Sequence, residues 1–320
     1  MTELKMLQDL GAELDPPQPA VPARVRDRVL AGMTSQPRRT TRPSFGWRLA
    51  GAGGLALAVT AGVLVTQVAS FDDRAPASKA EAAQILEDAA ARAGSAPTVA
   101  VRGDQFVYVD SITAAASGPA NESPKVTVNP RLRRVWYSVD GGRDGLIRSR
   151  PRSGRADWKN QVLPGCHDGK MTARKGDKTF EVPCEPATGY RADLPTDTDD
   201  MLKFLYEGLG NKNPDDQEAF TKAGDTIREA YVPPASLAAM FGALARIPGV
   251  TVVGDVTDEA GRAGVAVSLT EVQGSRAELI FDKATHAYLG ERVVDVDGGR
   301  LRNSTAVLKV AIVDRAGQLP

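Results

Sequence analysis

The stretch that most constrains this chain is residues 49–69, a run rich in Leu, Ala, Val and Gly without one charged side chain. At about 1.5 Å per residue, about 20 helical residues cross a hydrocarbon core of about 30 Å. Trp47 and Phe71 stand at the two ends, where bulky rings mark the membrane interface. Arg38, Arg39, Arg42 and Arg48 precede the run with no acid among them, and Asp72, Asp73 and Arg74 follow it. Positive flanks stay in the cytoplasm. The sequence therefore predicts a single-pass protein of the cell membrane. It has a cytoplasmic segment over 1–48, a transmembrane helix over 49–69 and an extracytoplasmic domain over 70–320. Two rival readings are weaker. A buried globular helix leaves the charge asymmetry unexplained, and residues 1–48 are a long leader for a cleaved signal peptide.

Ala50, Gly54, Ala58 and Gly62 recur every fourth residue of that run. Such a stripe lets two membrane helices approach closely, which allows a homodimer, although an Ala/Gly-rich helix produces the pattern readily by chance. Residues 1–48 are too few for a sizeable core. Leu4, Leu7 and Leu10 mark one short apolar face, and Val25, Val29 and Leu30 another, with Pro16, Pro17, Pro19 and Pro22 between them. One reading has these pieces fold against a cytoplasmic regulator. The other has a basic tail that only sets topology.

The outer segment reads as α+β. A helix is expected over 78–93, with Ser78 and Glu81 as a capping box and Ala82, Ile85, Ala89 and Ala93 on one face. Strands are expected over 105–111, 133–139 and 146–150, then an irregular stretch over 151–189. Helices follow over 197–209, 214–231 and 234–247. Asn213 is the expected cap of the second, with Pro214 at its first position. Strand patterns over 251–257, 263–270, 276–281, 288–296 and 304–314 alternate with Gly- and Asp-rich turns, so they predict an antiparallel meander. Its one apolar face needs a cover, and the helices offer one. The expectation is one domain, a curved antiparallel sheet covered by helices.

Candidate chemistry is sparse. Formal net charge is zero, so no global field draws nucleic acid. The histidines are His167 and His286, the cysteines Cys166 and Cys184. His167 adjoins Cys166 but lacks further soft ligands for a metal, and His286 reads as an exposed turn residue. Asp193, Asp197, Asp199 and Asp200 lack the calcium-loop register and fit helix capping better. No G-x-S-x-G, H-E-x-x-H or P-loop occurs. The chain reads as a non-enzyme without cofactor or metal. Outside the cytoplasm, Cys166 and Cys184 are expected to pair, two free structural thiols being the alternative. Arg133, Arg134, Arg148 and Arg150, near Trp136, Tyr137 and Trp158, offer a patch for an anionic envelope ligand. In an Arg-rich protein, a solvated strand face explains them more simply.

The stretch at 247–258, Ile-Pro-Gly-Val-Thr-Val-Val-Gly-Asp-Val-Thr-Asp, resembles a poorly characterised actinobacterial family of membrane-anchored proteins. So do residues 264–267, 279–282 and 289–292, the opening segment 4–30 and the helix at 79–92. Members of that family are often encoded beside extracytoplasmic-function sigma factors, which implies envelope signalling. The resemblance carries no catalytic motif. In element order alone, the outer domain also resembles the LolA and RseB folds, which bind lipids or lipoproteins in a half-barrel. Together these give the expected function, a membrane-anchored sensor or binding module linked to sigma-factor regulation. The alternative is a lipid or lipoprotein carrier with no signalling role, which requires an apolar cavity between sheet and helices.

Overall fold

The first helix, α1 (Ala75–Gly94), begins before Ser78, so that residue is not its cap. The Ser78 hydroxyl instead donates to the Val252 carbonyl at 3.4 Å. Ala82, Ile85, Leu86, Ala89 and Ala93 are buried along one side of the helix, the face that the apolar spacing predicts. The computed structural model describes residues 75–117, 127–210, 214–270, 274–296 and 299–320. All of them belong to one compact unit, Gln67–Pro320. Residues 1–48, the apolar run 49–69 and its stripe of Ala50, Gly54, Ala58 and Gly62 lie outside the described residues. No helix among the described residues is long and apolar enough to cross a membrane.

After α1 come β1 (Phe106–Ser117), the short β2 (Thr127–Val128), β3 (Arg131–Ser138), β4 (Gly145–Pro151) and β5 (Lys159–Leu163). A detached hairpin follows, β6 (Lys170–Lys175) and β7 (Lys178–Pro183). Three helices are next: α2 (Thr198–Tyr206), α3 (Asp215–Glu229) and α4 (Pro234–Leu244). The meander closes the chain with β8 (Thr251–Thr257), β9 (Ala263–Thr270), β10 (Ser275–Asp282), β11 (Tyr288–Asp295) and β12 (Leu301–Val313).

The stretch 151–189 is thus more regular than its sequence suggests. Almost every residue of β5 and β7 is exposed, so neither carries the alternation that betrays a half-buried strand. The disulfide Cys166–Cys184 closes the base of the β6–β7 hairpin, with Cα atoms 5.9 Å apart. Asp197 caps α2, its carboxylate accepting from the Asp199 and Asp200 amides. For α3 the cap is Pro214 itself, with no side-chain cap bond, so the helix starts one residue later than its acids and proline imply.

The sheet runs in the order β5-β4-β3-β1-β12-β11-β10-β9-β8, with every neighbouring pair antiparallel. It is open, with β5 and β8 as its edges. The β1–β12 pairing joins Phe106 to Val313 and fuses the early strands to the meander in one sheet. Bulges interrupt β1–β12, β10–β11, β11–β12 and β8–β9, places where strands bend and twist more.

One face carries Val265, Val267, Leu269, Leu279 and Phe281, and packs on Leu86, Met201, Leu205, Phe220, Phe241 and Leu244 of the helices. At about 25 cal/mol per Å² of apolar surface, this layer is the main source of stability. On the other face, Tyr108, Trp136, Leu146 and Val313 form a smaller cluster. There the Trp136 indole N–H donates to the Gln318 carbonyl, so the C-terminal tail covers the ring.

Candidate functional site

Helix and sheet do not meet everywhere. A cleft of about 510 Å³ opens between the end of α1, the α3–α4 connection, α4 and strands β11 and β12. Ligand pockets commonly hold about 300–1,000 Å³. Local sequence explains the gap. Ala89 and Ala93 of α1 present methyl groups where larger side chains would fill the space, and Ala230 and Val232 do the same between α3 and α4. Leu237, Phe241, Val307 and Val310 complete an apolar lining.

A few polar groups interrupt it. Arg92 and His286 both line the cleft. His286 sits in a turn, as expected, with φ of 54°, but its side chain is only 28% exposed. Asp282 shapes that turn by accepting from the Ala284 and Thr285 amides and the Thr285 hydroxyl, bonds that hold its carboxyl below the usual range. The His286 Nδ1 lies 3.8 Å from an Asp88 oxygen. Tyr288 also lines the cleft, its ring edge-on to Phe281. The Tyr288 hydroxyl is sealed from water and has no hydrogen-bond partner among the described residues. Burial drives its ionisation well above the ordinary tyrosine range, so the group remains a donor. A buried hydroxyl left unpaired costs about 1–3 kcal/mol.

A polar seam runs beside the cleft and holds α3 to the sheet. Arg228 pairs with Glu291 of β11 and, at 2.9 Å, with Asp225. Arg133 reaches Glu229 at 3.1 Å, and the Tyr137 hydroxyl donates to the same carboxylate. Gly224 lets the helix come this close, because a Cβ there would lie 2.9 Å from Glu291 Oε2. Burial raises the Glu291 ionisation from its ordinary value, and Arg228 opposes the rise. A second depression of about 540 Å³, lined by Arg191, Lys222, Asp225 and Glu229, flanks this seam. Its ammonium is occupied, since Lys222 donates to the Phe204 and Glu207 carbonyls.

The structure divides the arginine patch. Arg133 and Tyr137 point to the helix side and join the seam. Arg134, Trp136, Arg148 and Arg150 occupy the opposite face, with Arg134 directly across from Arg148. Trp158, which the sequence already places near the cluster, stacks with Arg134 and Arg150. Of the acids, Asp199 pairs with Arg246 and Asp193 with Arg191. No group of three or more potential metal ligands occurs among the described residues. Sequence reasoning identified none of the cleft residues as a site, because small side chains on one helix and strands far away in the chain carry no local motif.

These features define a class: an α+β domain with an open antiparallel sheet, a helix layer on one face and an apolar, ligand-sized cleft between them. No protein-family model matches the chain. No curated protein matches it either. Among solved structures it is similar to the Pseudomonas aeruginosa MucA/MucB complex, at 14% identity over 75% of this chain and 58% of that one, with a TM-score of 0.26. It is similar to LprF from Mycobacterium bovis, at 12% identity over 72% and 93% of the two chains, with a TM-score of 0.30. A LolA superfamily protein from Nitrosomonas europaea gives 12% identity, 75% and 94% coverage and a TM-score of 0.22. The chain spans 58% to 60% of the length of the MucB-containing chains it matches in the complex and in MucB alone.

Proposed function

We propose that this protein is an extracytoplasmic binding module that takes the apolar body of an amphipathic envelope molecule, such as a lipid or the acyl chain of a lipoprotein, into the cleft. The carrying observation is an apolar space of about 510 Å³ between helices and sheet, lined by Ala89, Ala93, Leu237, Phe241, Val307 and Val310. An acyl chain gains about 0.8 kcal/mol for each buried CH₂. Arg92 and His286 suit an acidic or hydrogen-bonding headgroup. No catalytic step belongs to the proposal. The test is native mass spectrometry of the full chain in neutral detergent. A bound lipid mass that disappears in Ala93→Phe and Ala230→Phe supports the reading, and an empty wild-type protein that takes up no added lipid contradicts it.

The uncharged run 49–69 and its arginine collar support a membrane anchor with the binding domain outside. On that topology, and on the family resemblance, we add a signalling role in which residues 1–48 contact a cytoplasmic regulator of the sigma-factor type. Deleting those residues should change transcription of the envelope regulon while leaving lipid uptake intact. Unchanged transcription would remove the signalling half and leave a carrier.

A further inference from the structure

The sheet face turned away from the helices carries an excess of guanidinium groups that its neighbours do not neutralise. Pairing of β3 with β4 sets Arg134 opposite Arg148 and Leu132 opposite Arg150, so the three arginines share that face. Like charges directly opposite each other on a sheet repel. Trp158, just before β5, lies 4.8 Å from the Arg134 guanidinium and 4.9 Å from that of Arg150, measured to its ring centroid. Arg148 lies 5.4 Å from the Trp136 ring. The acid in reach is Asp110, 3.5 Å from Arg134 Nε, and it also accepts from the Tyr108 hydroxyl. Among the described residues, no carboxylate forms an ion pair with Arg148 or Arg150. The Nε atoms of Arg134 and Arg150 are sealed from water and lack hydrogen-bond partners.

A merely solvated strand face does not fit these facts. Solvated arginines keep their heads wet and apart, whereas these pack on two indole rings, and Arg148 and Arg150 have no acid paired with them among the described residues. From this geometry we propose that Arg134 and Arg150, against Trp158, and Arg148, against Trp136, form a phosphate-binding site distinct from the apolar cleft. Planar guanidinium forks donate in pairs to phosphate oxygens, and a tetrahedral oxyanion accepts from several directions at once. Its charge offsets the repulsion across β3 and β4, and the rings shield the contact from water. A free phosphate and a phospholipid headgroup present the same chemistry.

Phosphorus NMR of the full-length chain in neutral detergent tests this, with inorganic phosphate as one probe and a short-chain phosphatidylglycerol as the other. Saturable broadening of the inorganic phosphate signal identifies free phosphate as the source. Broadening of the phosphatidylglycerol signal alone identifies a lipid headgroup. In either case Arg148→Gln and Arg150→Gln should each weaken binding about tenfold, the loss expected for a charge-assisted hydrogen bond. Lys178→Gln, on the exposed hairpin, should leave it unchanged. Arg150→Lys keeps the charge and most of the stem, so it covers the case in which Arg150→Gln fails to fold, and it should still bind severalfold more weakly. Absence of saturable binding for both probes overturns the proposal. So does equal weakening by Lys178→Gln, or unchanged affinity in the arginine variants.

Discussion

Tyr288 packs edge-on against Phe281, ring centroids 5.9 Å apart, and its hydroxyl has no hydrogen-bond partner among the described residues. A buried donor without an acceptor destabilises the protein. Tyr288→Phe should therefore leave thermal stability of the ligand-free protein level or raise it by about 1 kcal/mol, since a desolvation cost is removed. Because the hydroxyl is sealed from water, lipid retention should be unchanged. If stability drops by the amount expected for a lost hydrogen bond, the hydroxyl has a partner within the protein.

Arg262, in the turn between β8 and β9, should be a costly loss. Its guanidinium pairs with Asp258, which is nearly sealed from solvent, and donates to the Leu289 and Val307 carbonyls, both at 2.9 Å. The contact binds the β8–β9 turn to β11 and β12. Arg262→Ala leaves a buried carboxylate and two carbonyls without that partner, and should cost about 3 kcal/mol in chemical denaturation. A loss under about 1 kcal/mol would mean that water replaces the guanidinium.

These two sites show what the sequence makes legible. The meander was readable because its strands have period-two apolar patterns bounded by Gly and Asp turns, and the helices because their apolar residues recur at helical spacing. Hidden were contacts set by distant pairing. Nothing near Phe106 or Val313 announces that they lie side by side, and that pairing joins the early strands to the meander. The β6–β7 hairpin was missed for another reason. It buries too little to need alternation, and its disulfide secures it instead.

That hairpin should come loose when the disulfide is removed. In the chain-entropy view, closing a loop of 18 residues contributes about 3 kcal/mol. Because β6 and β7, among the described residues, pair only with each other, the effect should be local. Replacing Cys166 and Cys184 with Ser should expose residues 170–183 to limited proteolysis while hydrogen exchange in β10 and β11 stays slow. Faster exchange throughout the meander would mean that the hairpin braces the sheet.

Acid should weaken the turn between β3 and β4. Asp140 accepts from the Gly142 amide and the Ser138 hydroxyl, and these bonds hold its carboxyl below the ordinary range. A depressed carboxylate adds stability above its unfolded-state value, and the gain is lost as pH falls through the folded-state value. Asp140→Asn should therefore flatten the acid limb of the stability profile and leave its slope at neutral pH unchanged. An identical acid limb in the variant would place the titrating group elsewhere.

The cleft is the centre of this account, and direct measurement of its occupancy tests it. The full chain in neutral detergent should bind a fluorescent long-chain fatty acid saturably, and unlabelled lipid should displace the probe. Ala93→Phe and Ala230→Phe, which fill the space from two sides, should reduce that binding at least tenfold while the protein keeps its fold. Undiminished binding in both filled variants, or no saturable binding by the parent chain, would contradict the assignment of the cleft as a lipid site.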